Sequence, residues 1–179
     1  MDTIALEHWG DILESTDKEQ FVLQPTLFDF VAGRALNYYR NRDAALSIVA
    51  SEKPPIPENV WAPLASFVAS NLPFTADQRM QELRLIQKLL LSNLRSDHVT
   101  ALLYNDIRRF DFLRDYAGHN PETDSIYFAA LGELQEAYSE HEASALVAAA
   151  RASFLIGNDH VEKNDYAQAL KICDQAIEA

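Results

Sequence analysis

A single cysteine, Cys173, is all that this 179-residue chain contains, so no internal disulfide can staple it and the fold must rest on a core of its own. Glycine is scarce as well. Five glycines do not supply the tight turns of an all-β architecture, which turns the expectation toward helices. No apolar run approaches the ~18 residues of a membrane span, and the opening MDTIALEHWG has neither the basic nor the apolar region of a secretory leader. Direct membrane insertion is therefore not expected. Clustered basic residues are missing too: only Arg108 and Arg109 stand side by side, against 27 acidic residues and a net charge of −12. A phosphate backbone is gripped by grouped Lys and Arg, so nucleic acid is not an expected partner.

The chemical signatures are equally thin. None of the five histidines has Glu three residues before it, and His141–Glu142 lacks the second histidine of a zinc-protease helix. No G-x-S-x-G, P-loop or G-x-G-x-x-G occurs. Cys173 falls in a helical pattern with Ala169, Leu170 and Ile177, which reads as a core thiol and not a nucleophile. The expectation is a non-catalytic chain without metal or cofactor.

What is present is helical patterning. With 48% hydrophobic and 23% charged residues, the chain has ordinary globular usage and the length of one domain. We expect a single all-α helical-repeat domain over 1–179: N-terminal helices in 1–41, a proline-rich irregular excursion in 42–74, and helix pairs in 75–179. Ile4, Leu6, Trp9, Ile12 and Leu13 suggest a short amphipathic start. Pro25 suits the first turn of a helix in which Leu27, Phe30, Val31, Ala35 and Tyr38 form the apolar stripe. Five of the seven prolines then fall between Pro54 and Pro73, a density no long helix survives. Phe67, Val68, Leu72 and Phe74 make that stretch apolar enough to pack along the helices.

Beyond it, Thr75 and Gln78 read as a capping box for a helix with Leu83, Ile86, Leu90 and Leu94 inward. Asp97 is expected to cap the next, which carries Val99, Leu103, Phe110 and Leu113 and stops before Gly118. Asn120–Pro121 opens another, lined by Ile126, Ala130, Leu134 and Ala137. A helix over 143–157 carries Leu146, Ala150 and Phe154, and the last opens at Asn164. Tyr127, Ala130, Leu131 and Ala137 recur 39 residues later as Tyr166, Ala169, Leu170 and Ala176, an offset typical of stacked helix pairs. The second copy resembles a tetratricopeptide (TPR) repeat, which implies a right-handed stack of antiparallel helix pairs.

Two surfaces are candidates for a partner face. Arg108 and Arg109, each three residues from an aspartate (Asp111, Asp106), read as a solvated ion-paired face that could grip an acidic tail. Glu133, Glu136, Glu140 and Glu142 form an acidic ridge suited to a basic partner. The closing helix carries Tyr166, Ala169, Leu170, Cys173, Ala176 and Ile177, a stripe broad enough to cover its neighbour and leave apolar atoms on the far side. The expectation is that this chain is a piece of a longer protein whose next segment, or a partner, docks there.

The stretch QPTLFDFVAGRALNYY (24–39) is similar to a motif of the large alpha-2-macroglobulin-family lipoproteins of Bacteroidetes. The similarity continues through LRLIQKLLLSNL (83–94), ALLYNDIRRFDFLRDY (101–116), IYFAALGELQEAY (126–138) and ALKICDQAIE (169–178). The resemblance implies a TPR-like scaffolding segment preceding an array of β-sandwich domains in a protease-inhibitor-type protein, with a periplasmic or cell-surface location. Cys173-Asp174-Gln175 departs from the Cys-x-Glu-Gln thioester of the family, so a thioester or bait region would lie outside these residues. Without the resemblance, the reading is a free-standing TPR-type adaptor, cytoplasmic, holding a partner peptide in a concave groove.

Overall fold

A computed structural model describes residues 4–9, 18–40, 55, 57–75, 77–157 and 163–178. Among them the chain is all-helical: α1 (Lys18–Leu23), α2 (Leu27–Arg40), α3 (Leu64–Ala69), α4 (Gln78–Arg95), α5 (Val99–Ala117), α6 (Pro121–Ala137), α7 (Ser144–Ile156) and α8 (Lys163–Glu178), with 3-10 turns at Leu6–Trp9 and Glu58–Trp61. The one extended element is an isolated antiparallel bridge between Ala5 and Thr26. The chain divides into two compact units, Met1–Asn105 and Asp106–Ala179.

In the first unit α2 and α3 both pack on α4. The start of α2 is built by Thr26 and Asp29: the Asp29 amide donates to the Thr26 hydroxyl oxygen at 3.2 Å, while the Thr26 amide donates to Asp29 Oδ2 at 3.0 Å. This reciprocal pair is a capping box with Thr26 as the N-cap, and it places Pro25 outside the helix, where its carbonyl accepts from the Leu6 amide at 2.8 Å. The buried face of α2 is Asp29, Ala32, Gly33 and Leu36, whereas Val31 and Tyr38, expected inward, are exposed. The reason is a carboxylate. Once Asp29 is committed to the interior by its capping bonds, the residues in step with it, Ala32, Gly33 and Leu36, turn inward, and Val31 and Tyr38 face outward.

The proline-rich stretch is only partly irregular. Residues 41–54 and 56 lie outside the described residues, but Pro63 opens the short α3, whose Phe67 is buried together with Leu72. Gln87 on α4 ties this segment down, its Nε2 donating to the carbonyls of Phe67 at 2.8 Å and Ser70 at 2.9 Å. Phe74, expected to pack, is exposed.

Helix α4 is capped by Asp77, not by Thr75: the Asp77 carboxylate accepts from the Met80 amide at 2.8 Å. Thr75 instead holds Asp77, its hydroxyl oxygen accepting from the Asp77 amide at 3.2 Å. A carboxylate at the N-cap also meets the positive end of the helix dipole. Met80, Leu83, Ile86, Leu89 and Leu90 are buried, and the stripe continues through Asn93, leaving Leu94 exposed.

Asp97 does not cap α5. It is the residue after the C-cap of α4, with φ 55°, and the next amide, His98, reaches back to the Asn93 carbonyl at 3.1 Å. This is the 6→1 bond of a Schellman ending, in which a left-handed residue reverses the chain. Aspartate tolerates that conformation better than most side chains.

The second unit takes α5 from Asp106 onward with α6, α7 and α8. Gly118, at φ 92°, ends α5 as expected. Asn120 caps α6, its side chain accepting from the Thr123 amide at 3.0 Å, with Pro121 at the first helical position. The buried face of α6 is Thr123, Tyr127, Leu131 and Leu134, while Ile126 and Ala137 are exposed. The turn to α7 is closed by His141, whose Nδ1 accepts from the Ala143 amide at 3.0 Å. Helix α7 buries Val147, Ala148, Ala152 and Leu155, with Leu146, Ala150 and Phe154 half-buried, and ends at Gly157, where a Cβ would stand 2.8 Å from the Ser153 carbonyl oxygen.

Candidate docking face

The α6–α7 hairpin is held by an aromatic and arginine stack. Phe154 of α7 meets Tyr127 at 5.2 Å between ring centroids and Phe128 at 5.6 Å, both on α6. Arg114 lies 4.8 Å over Phe154 and Arg151 lies 4.8 Å over Phe128, so cations cover both outer ring faces. Each cation is oriented by a polar partner: Arg114 by Asp124 at 2.6 Å, Arg151 by Gln135 at 2.7 Å. The Tyr127 hydroxyl donates to Asp111 at 2.8 Å. Burial, reinforced by that carboxylate, holds the phenol well above its usual range.

Helix α8 packs on α7 through Ala169 and Ile172 against Ala148, Ala152 and Leu155, with Cys173 and Ala176 at the margin. Alanines on both sides let the two backbones approach closely. Cys173 is accordingly half-buried rather than fully in the core. The outer side of α8 is bare: Tyr166 is 59%, Leu170 63% and Ile177 84% exposed. Their repeat counterparts in α6 are covered, Tyr127 being 5% and Leu131 0% exposed. The two copies of the motif thus differ in what lies against them. In α6 the Tyr/Leu face is covered in part by the following helix, and in α8 the same face meets solvent.

The other residues singled out by the sequence separate into two environments. Arg109 is 0% exposed and pairs through Nε with Asp106 at 2.8 Å, and Arg108 is buried as well. The Asp106–Arg109 pair has the spacing expected of it but sits in the interior, not on a solvated face, in step with Phe110 and Leu113, while Arg108 is buried on the other side of α5, a helix covered on most of its circumference. Burial raises the Asp106 carboxyl from 3.8 to about 6, opposed by Arg109, and the nearby Tyr138 phenol is raised by its own burial and by the Asp106 charge. Glu133, Glu136, Glu140 and Glu142 are exposed, as an acidic ridge requires.

Concavities open among the described residues of the first unit. One, of about 450 Å³, is lined by Ala5, Glu7, Phe21, Pro25, Thr26, Ser96 and His98. It gathers a carboxylate, two hydroxyls and an imidazole, and the buried His98 Nδ1 has no hydrogen-bond partner there. Another, about 310 Å³, lies between Tyr39, Phe74, Gln81, Arg84, Leu85 and Lys88, where Arg84 stacks 4.8 Å over Phe74. Among the described residues no group of three His, Cys, Asp or Glu side chains could hold a metal ion, and no helix is long and apolar enough to cross a membrane.

No family model, no curated protein and no solved structure matches the chain.

Proposed function

We propose that this chain is a non-catalytic protein-docking module whose contact face is the outer side of α8. The observation that carries this reading is the exposure of Tyr166, Leu170 and Ile177 on a helix whose other side is already used against α7. Three large apolar residues along one stripe of an acidic protein mark an interaction surface. The 39-residue repeat and the consecutive packing of α6 on α7 and α7 on α8 support a TPR-like, right-handed stack, in which the α8 face is where a further helix would lie.

The segments similar to alpha-2-macroglobulin-family proteins support a larger setting, a scaffold within a protease-inhibitor-type polypeptide at the cell surface or in the periplasm. Reading the gene past codon 179 tests that setting: β-sandwich domains downstream support it, and their absence leaves the free-standing adaptor. The docking reading itself is tested by a photo-crosslinking residue placed at position 170 and, as a control, at the likewise exposed 133, in the producing cell. Protein adducts formed at 170 and not at 133 support the face. Equal or absent adducts at both positions overturn it.

A further inference from the structure

We infer that the occupant of this face is the same face of a second copy, the two α8 helices lying antiparallel across a two-fold axis. The inference rests on the docking reading above and names its partner. Its first ground is the spacing of the stripe. Tyr166, Leu170, Cys173 and Ile177, of which Cys173 is the half-buried margin that the stripe shares with the α7 contact, are separated by four, three and four residues, the same sequence of steps in either direction. Reversed about the midpoint between Lys171 and Ile172, the stripe meets itself, Tyr166 facing Ile177 of the copy and Leu170 facing Cys173 of the copy. An isologous contact requires this kind of self-complementarity.

The second ground is charge. Next to the stripe, on the side away from α7, stand Lys171 and Asp174, both exposed. In an antiparallel pairing flanking positions on the same side face each other, so Lys171 of each copy comes near Asp174 of the other, offset by about two residues, or ~3 Å of rise, within reach of the long lysine side chain. A parallel pairing would instead carry this flank of the two copies to opposite edges of the contact, where Lys171 and Asp174 of one copy meet neither residue of the other. The rest of the surface argues in the same direction. The chain carries −12 overall, whereas α8 sets Lys163 and Lys171 against Asp165, Asp174 and Glu178. Two copies meeting through the Glu133–Glu136–Glu140 ridge would repel; through α8 they nearly balance.

The third ground is what covers the counterpart face. Tyr127 on α6 is packed by Phe154 of α7, the helix that follows it after a tight turn. Consecutive helices joined by such a turn run antiparallel. A second α8 in antiparallel orientation brings to Tyr166 what α7 brings to Tyr127, a helix of opposite direction carrying large apolar side chains. The contact is one helix wide, smaller than the roughly 800 Å² per partner of a standard interface, so the dimer should be concentration-dependent rather than obligate.

The test is sedimentation equilibrium of the full chain over a concentration series, with circular dichroism as the check on folding. Leu170→Asp changes an exposed residue, keeps the helix and should weaken dimerisation by at least about tenfold. Lys171→Asp alone and Asp174→Lys alone should each weaken it about three- to tenfold, each substitution occurring twice across the axis, and the double swap Lys171→Asp/Asp174→Lys should restore it to within about threefold of the native chain. A monomer at every concentration, a dimer indifferent to Leu170→Asp, or a double swap no better than the single ones would overturn the antiparallel copy. A monomer that nevertheless forms foreign adducts through position 170 in the cell would retain the docking face and replace its occupant. A monomer without adducts would remove both.

Discussion

The side-chain amide of Asn93 donates to the Asp29 carboxylate at 2.8 Å across 64 residues of sequence. Asn93 in turn accepts from the Asn105 amide at 2.9 Å, so α2, α4 and α5 are joined inside the first unit by a buried polar chain that begins at the Thr26 cap. Every lone pair that Asp29 uses faces a donor: the Thr26 amide and hydroxyl on one oxygen, Asn93 on the other.

Asp29→Asn should therefore be nearly as damaging as Asp29→Ala, despite its matching shape. An amide at this position turns an NH₂ group toward groups that themselves donate. We expect a loss of about 2 kcal/mol from either substitution, read as a shift in the urea midpoint with an unchanged slope. An Asp29→Asn chain as stable as the native one would mean that the network does not constrain the fold.

Asp77→Ala should cost about 1 kcal/mol by removing the α4 cap, while Thr75→Ala should cost less than half as much, because Thr75 only positions Asp77. The reverse order in chemical denaturation would restore the cap to Thr75.

The Asp106 carboxyl, held at about 6 by burial against the opposing effect of Arg109, sets a pH dependence whose sign follows from the direction of the displacement. The folded value lies above the unfolded one, so the stability this group contributes is full below about pH 4 and is lost as pH rises through about 6. A carbon-detected NMR titration should place its midpoint near 6. Arg109→Met removes the attraction that holds the value down, and the midpoint should move higher still. A native midpoint near 4 would contradict the burial argument.

Phe154→Ala removes the ring that Tyr127, Phe128 and Arg114 share. It should destabilise the second unit by about 3 kcal/mol, and hydrogen exchange should show α6 and α7 losing protection together.

These features differ in how far the sequence disclosed them. Elements with a strong local signal, such as the Asn120–Pro121 start of α6, the Gly118 stop and the long apolar repeat of α4, emerge from periodicity and capping chemistry alone. So does the bare side of α8, because its stripe is wider than one neighbour can cover. What periodicity could not show is which polar residues belong to a stripe. Asn93 falls three residues beyond Leu90 at a core position, and Arg109 lies in step with the inward face of α5. Arg109 reads as a surface residue, and Asn93 draws no assignment, because their partners, Asp106 and Asp29, become visible only once the carboxylates are known to be buried. For α2 the same omission rotated the assigned face, since an Asp was not counted as inward. The aromatic stack of α6 and α7 left a faint trace, large rings at Phe128 and Phe154 among small residues.

The left-handed Asp97 turn also decides where this chain can change length. It fixes the direction in which α5 leaves α4, and so the angle at which Asn105 arrives beside Asn93. An inserted residue between Ser96 and His98 must either break the bond from His98 to the Asn93 carbonyl or swing the face of α5 by roughly 100°, withdrawing Asn105 from its acceptor. Insertions and deletions that natural variants of this chain accumulate should accordingly be purged from this corner, even though it lies between two helices where loops ordinarily absorb them.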